Sequence, residues 1–291
     1  MESLTEIFCQ LDDFCDYFEP QWEKQLINEG IKTRHRRSKI SLSELMTIVV
    51  LFHQLRFREF KMFYIGYVLR HLRSEFPNLP SYSRMVELMP RCAVPLTVFF
   101  ETIKGKCDGI SIVDATALSV CDNKRISRHR VFKEVSGMSK TSMGWFYGFK
   151  LHVIINSRGE IINLKMTSGN VDDRKPVPNM CHDIFGQLYA DKGYIAQWLT
   201  QMLEQKDIEL ITTLKKNMKP VQRSPFQKAV LRKRSLIETV FDQLKNLCQI
   251  EHTRHRSLLN FVVNLMAGIV AYSLSPYKPT LNMIRSTIVP A

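Results

Sequence analysis

The chain has 291 residues, of which 45% are hydrophobic and 24% charged; that apolar content supports a packed core and excludes a disordered chain. Its 41 Lys and Arg outweigh 28 Asp and Glu, leaving a formal charge of +13, a field that attracts polyanions, nucleic acid first and an anionic membrane second. No run reaches the roughly 20 apolar residues of a membrane span, and the start, MESLTEIFCQLDDF, lacks the basic region of a signal peptide, so the reading is a cytoplasmic protein.

Residues 1–105 read as a helical N-terminal domain. Leu4, Ile7, Phe8, Leu11, Phe14 and Phe18 recur at the spacing of one buried helix face. Ser41 followed by Glu44 is a capping box ahead of LMTIVVLFHQL. Just before it, KTRHRRSK carries Lys32, Arg34, Arg36, Arg37 and Lys39, either a solvated loop or a phosphate-contacting one. A helix is expected over Tyr82–Met89, and DNA binding is the expected role of this half.

The texture changes near residue 108. GISIVDAT, WFYGFKLHVIIN, EIINLKMTSG, QLYAD and ELITTL are rich in Ile, Val, Phe and Tyr and bounded by Gly, Asn or Asp, which marks strands. Ser157, Arg158 and Gly159 between the second and third fit a hairpin turn. YIAQWLTQMLEQ is periodic as a helix, and two long helices follow, FQKAVLRKRSLIETVFDQLKNL and SLLNFVVNLMAGIVAYSL. The expectation is an α/β fold over 106–275, a mixed sheet flanked by helices, and a C-terminal tail over 276–291. Seven cysteines, an odd number without CxxC spacing, argue against a disulfide framework or structural zinc and read as small core residues.

Three acids carry the candidate chemistry. Asp114 ends the apolar run Ile110–Val113, and Asp191 ends Leu188–Ala190. A carboxylate ending a buried strand must be compensated, by capping a following helix or by coordinating a hard cation such as Mg²⁺. Glu238 sits beside the apolar stripe of its helix, four residues after Arg234 and seven before Lys245; an i, i+4 ion pair with Arg234 is the plainer reading. Together, the three acids in a basic surround have the composition that two-metal phosphoryl transfer needs. His152 reads as a core or surface residue of a strand. Asn170, Asp172 and Asp173 read as turn formers, with Asp173 also a candidate neighbour of the acids.

IVDAT at Asp114, GFKLH at 148–152, TSGNVDDRKP at 167–176, YADKGY at 189–194 and RSLIETVFDQLK at 234–245 together resemble a DDE transposase of a bacterial insertion sequence, most closely the nine-eighty-two family within the wider IS-four-like group. The resemblance implies an RNase H-like core with Asp114, Asp191 and Glu238 as catalytic residues and ligands of two Mg²⁺ or Mn²⁺ ions. It also implies metal-dependent cleavage and strand transfer at terminal inverted repeats and into target DNA, by a homodimer in the synaptic complex. Arg234, Glu238 and Lys245 match the group's signature; the Tyr expected three residues before the Arg is Leu231. The alternative is a catalytically inactive DNA-binding protein derived from a transposase.

Basic clusters surround this core. Residues 215–256 hold eleven Lys or Arg against three acids, and NKRISRHRVFK forms a second cluster. Arg36, Arg37, Arg128, Arg130, Lys192, Lys215, Lys216, Arg234 and Lys245 are the candidate DNA contacts.

Overall fold

The structure, a computed structural model, describes residues 3–30, 38–141, 144–251 and 255–281. The longer helices are α1 (Leu4–Asn28), α2 (Leu42–Gln54), α3 (Tyr82–Leu88), α4 (Ala93–Ile103), α5 (Gln197–Glu204), α6 (Pro225–Arg232), α7 (Leu236–Asp242) and α8 (Leu258–Leu274). The strands are β1 (Ile110–Ser119), β2 (Gly137–Thr141), β3 (Gly144–Asn156), β4 (Ile161–Ser168), β5 (Gly186–Ala190) and β6 (Ile208–Thr212). Among the described residues no helix is long and apolar enough to cross a membrane.

The chain forms two compact units, one of residues 1–103 and 244–276, the other of 104–243 and 277–291. The sequence reading divides it elsewhere, because it assigns the last long helix to the sheet. In the first unit the expected capping box starts α2: the Ser41 Oγ accepts from the Glu44 N–H at 3.0 Å, and the Glu44 carboxylate accepts from the Ser41 N–H at 2.7 Å. From Leu42 to His53 the helix is buried on nearly every side except at Glu44. It is covered by α1 and by α8, which also packs on α4. α8 is itself buried from Phe261 to Leu274 except at Val262 and Ser273. A helix so apolar all round belongs in a core, and this explains why it leaves the sheet unit.

The second unit is a six-stranded mixed sheet in the order β2-β3-β1-β5-β6, with β4 also paired to β3. β3 runs antiparallel to β1, β2 and β4, whereas β5 runs parallel to β1 and β6 parallel to β5. Four strands joined by antiparallel pairings, followed in the chain by two parallel ones, with helices flanking the sheet, are consistent with the RNase H-like arrangement. Val113, Ile154, Ile162, Leu188 and Ala190 pack with Val177, Met180, Tyr194, Leu199 and Leu203 into one core. This core holds β1 and β5 in place and fixes where the residues after them emerge.

Three details differ from the sequence expectation. Asp114 does not end its strand: β1 continues to Ser119, paired with β3 as far as Gly148. β2 is an additional strand, paired across Gly137↔Gly148 and Thr141↔Gly144. The expected long helix from Phe226 is interrupted: α6 ends at Arg232 and α7 starts at Leu236, after which Gln243–Leu247 forms a π turn. Cys15, Cys92, Cys121, Cys181 and Cys248 are buried.

The hairpin turn falls at Ser157–Gly159 as expected. Gly159 has φ +69°, and a Cβ there would collide with the Pro279 carbonyl. The segment after Pro276 is held at this turn, since the Leu281 N–H donates to the Ser157 carbonyl at 2.9 Å. Gly159→Ala combines backbone strain with this collision, so an unfolding midpoint in denaturant should report a loss of more than about 1 kcal/mol.

Candidate active site

Asp114 and Asp191 are brought together by strand register. β1 and β5 are paired through Ile110↔Gln187, Ser111↔Leu188 and Ile112↔Tyr189. Extending this register two residues places Asp114 beside Asp191, where β5 has ended and the chain turns into Lys192–Tyr194. Asp191 stands at the N-cap of that turn, and its side chain makes no capping hydrogen bond. Helix capping, the plainer account of this carboxylate, is therefore not its role.

Arg234 joins the two acids. One terminal nitrogen lies 3.7 Å from Asp114 Oδ2 and the other 3.5 Å from Asp191 Oδ1. The interruption between α6 and α7 makes this possible: Arg234 occupies the turn, and its carbonyl accepts from the Ile237 N–H at 3.2 Å. The expected ion pair along one helix is replaced by a bridge to two strands. The Asp114 Oδ1 accepts from the Ala115 N–H at 2.8 Å, and the Thr213 hydroxyl donates to Asp191 Oδ1 at 3.4 Å.

Burial pushes Asp114 up to about 6, and the charges of Asp191 and Asp173 act in the same direction, against the Ala115 N–H and Arg234. Tyr194, not singled out in the sequence, is buried with its hydroxyl unpartnered. Burial first, then the charges of Asp114, Asp173 and Asp191, push its ionisation upward. Its signal in the sequence is the DKGY motif, which puts it three residues after Asp191 on one tight turn.

Glu238 lies on the first turn of α7 and is exposed. Among the described residues, no group of three or more His, Cys, Asp or Glu side chains converges to enclose a metal. The aspartate pair nevertheless suits a hard cation, because Mg²⁺ is commonly held by one or two carboxylates and completes its shell with water and phosphate.

Asp173 accepts an ion pair from Lys150 at 2.9 Å, and the same Lys150 donates to the Val171 carbonyl at 3.0 Å. Asp172 pairs with Arg174, and the Val171 N–H closes a turn onto the Ser168 carbonyl at 3.0 Å, so SGNVDD is a turn. His152 is buried, its Nε2 2.8 Å from the Thr167 hydroxyl; burial pushes it down to about 4, so it is a neutral core group.

Among the basic candidates, Arg128, Arg130, Lys192, Lys215 and Lys216 are exposed. Lys245 belongs to the helical unit and pairs with Glu251 at 3.1 Å. Arg36 and Arg37 lie outside the described residues.

The Asp114 shift gives a test. Between about 3.8 and 6 the folded chain keeps a proton that the unfolded chain releases, so this group's contribution to stability is lost as pH rises through that window. In metal-free protein Asp114→Asn should therefore be the more stable form at pH 7, by up to about 3 kcal/mol. The gain should shrink towards zero near pH 4 in thermal unfolding followed across pH.

A family profile described as a transposase DDE domain matches residues 104–258, just over half of the chain. Two solved structures are similar. The first is a synaptic complex of the piggyBac transposase with hairpin DNA, at 11% identity over 82% of this chain and 67% of that one, TM-score 0.47. The second is the Mos1 strand transfer complex, at 9% identity over 89% of this chain and 87% of that one, TM-score 0.24. No curated protein matches the chain.

Proposed function

Because the chain belongs to the family of transposase DDE domains, we propose that it is the transposase of a bacterial insertion sequence, cleaving DNA at the element's terminal inverted repeats and joining the ends to target DNA. The observation that carries this reading is the Asp114–Asp191 pair, one carboxylate on β1 and one just past the end of the adjacent parallel β5, with a guanidinium across them. A half-buried pair of like charges is costly to a fold, and phosphoryl transfer supplies a reason to keep it.

In this reading Asp114, Asp191 and Glu238 hold two Mg²⁺ or Mn²⁺ ions. When bound, such ions activate the attacking oxygen and stabilise the leaving one. The chain's own part is positional. The β1–β5 register fixes the two aspartates relative to each other. Glu238, on the first turn of α7 and exposed, joins them when DNA is present. In this reading Arg234 and Lys192 hold the scissile phosphate, Arg234 as a two-pronged donor. Arg128, Arg130, Lys215, Lys216, Lys245 and, from the basic run near the N-terminus, Arg36 and Arg37 contact the DNA backbone and confer salt-dependent affinity. The active form is a homodimer that pairs two ends, in the cytoplasm.

A second reading, a DNA-binding protein without catalysis, draws on the exposed Glu238 and the lack of a three-carboxylate cage among the described residues. One experiment separates the two. Parent protein, Asp114→Asn and Glu238→Gln are incubated with Mg²⁺, a labelled end of the element and a target duplex. Cleavage and joining by the parent, reduced at least about 100-fold in both variants while end binding is kept, is the expected result. Equal binding and no cleavage by all three would select the second reading.

A further inference from the structure

We infer that Arg234 is a counter-ion gate on the aspartate pair: its guanidinium occupies the carboxylate oxygens that a divalent cation needs, and it gives them up when a DNA phosphate draws it away. This deepens the proposed function and rests on its placing of the metal at Asp114 and Asp191.

The geometry is specific about which atoms are contested. Asp114 Oδ1 is already committed to the Ala115 N–H, and Oδ2 is the atom that faces Arg234. Asp191 Oδ1 is shared between Arg234 and the Thr213 hydroxyl. The oxygens that Arg234 spans are thus Asp114 Oδ2 and Asp191 Oδ1, one from each acid. At 3.7 and 3.5 Å both contacts are longer than a direct charge-assisted hydrogen bond of about 2.7–2.9 Å. The guanidinium straddles the pair without locking onto either acid, a position that balances their charge and remains exchangeable.

Arg234 cannot clear the site by losing its proton, since a guanidinium stays charged in proteins. Its side chain is only 16% exposed, so it cannot be ignored as a mobile surface charge. A cation entering between the acids meets the permanently charged guanidinium within a few ångströms, and one of the two must leave. Arg234 is carried on a turn rather than in the interior of a helix, so its side chain can move without unwinding either flank. A phosphate diester offers the guanidinium two non-bridging oxygens that share one negative charge, in the two-pronged geometry it binds well. Phosphate binding and cation binding then favour each other, and the coupling is reciprocal by linkage.

The test reads metal binding directly. Mn²⁺ is titrated into metal-free full-length protein and followed by the electron paramagnetic resonance of free Mn²⁺, with and without a short duplex. Parent, Arg234→Gln, Arg234→Lys and Asp114→Asn are compared, each checked for cooperative unfolding. Without DNA, Arg234→Gln is expected to bind Mn²⁺ at least about tenfold tighter than the parent, while Arg234→Lys, which keeps the charge, stays close to it. The duplex should tighten Mn²⁺ binding to the parent and leave the Gln variant nearly unchanged. The duplex effect on the parent alone tests the gate even if the Gln variant does not fold, and a duplex that leaves parental Mn²⁺ affinity unaltered would overturn it. Binding that Asp114→Asn abolishes but Arg234→Gln fails to tighten would also sink the gate while sparing the metal site. Binding that survives Asp114→Asn would remove the metal site itself, and the gate with it.

Discussion

Two negative charges set side by side by neighbouring strands are the constraint around which the sheet unit is arranged. Asp114 and Asp191 arrive side by side because β1 and β5 are parallel and in a register that runs from Ile110↔Gln187 to Ile112↔Tyr189. That register is enforced from below by Val113, Leu188 and Ala190, which share one core with Tyr194, Leu199 and Leu203. A slip of one residue would turn this apolar set outward, so the placing of the acids is as secure as the packing beneath them. The core thereby holds in place a pair whose mutual repulsion and burial both oppose it, as the upward shift of Asp114 records.

The compensating charge comes from a distant part of the chain. Arg234 reaches both acids because α6 stops at Arg232 and α7 starts at Leu236. An uninterrupted helix would have directed Arg234 and Glu238 to one side together. The interruption instead separates them, putting the guanidinium against the aspartates and leaving Glu238 exposed. Site electrostatics are therefore set by a short turn, and the sheet supplies only the acids.

Much of this was legible from residue order. The apolar β-branched runs of β1, β3 and β4, the Ser157–Gly159 turn, the α2 capping box and the helical first hundred residues follow from local pattern. β2 did not, since Gly-Met-Ser-Lys-Thr has neither alternation nor β-branched density, and its pairing with β3 is what makes it a strand. The end of β1 beyond Thr116 was missed because Ala117 and Ser119 are poor strand formers, held there by the ladder with β3. Periodicity runs smoothly through Arg232–Ser235, so nothing local announced the interruption. Asp114 and Asp191 could be picked out as acids at the ends of apolar runs. Their bridge to Arg234 and the buried Tyr194 hydroxyl depend on tertiary contact, which no spacing rule encodes.

The two compact units are interleaved in the chain. The helical unit takes residues 1–103 and then 244–276, with every strand of the sheet unit between them. α8, which covers α2 and α4, is thus synthesised after every strand of the sheet. During translation at about 5–20 residues per second, the apolar faces of α2 and α4 wait several seconds or more for the helix that buries them. The first unit cannot close as the ribosome makes it, and the sheet unit can form most of its contacts first. Folding order thus runs against chain order, and the apolar faces of α2 and α4 stay uncovered until the last long helix has been made.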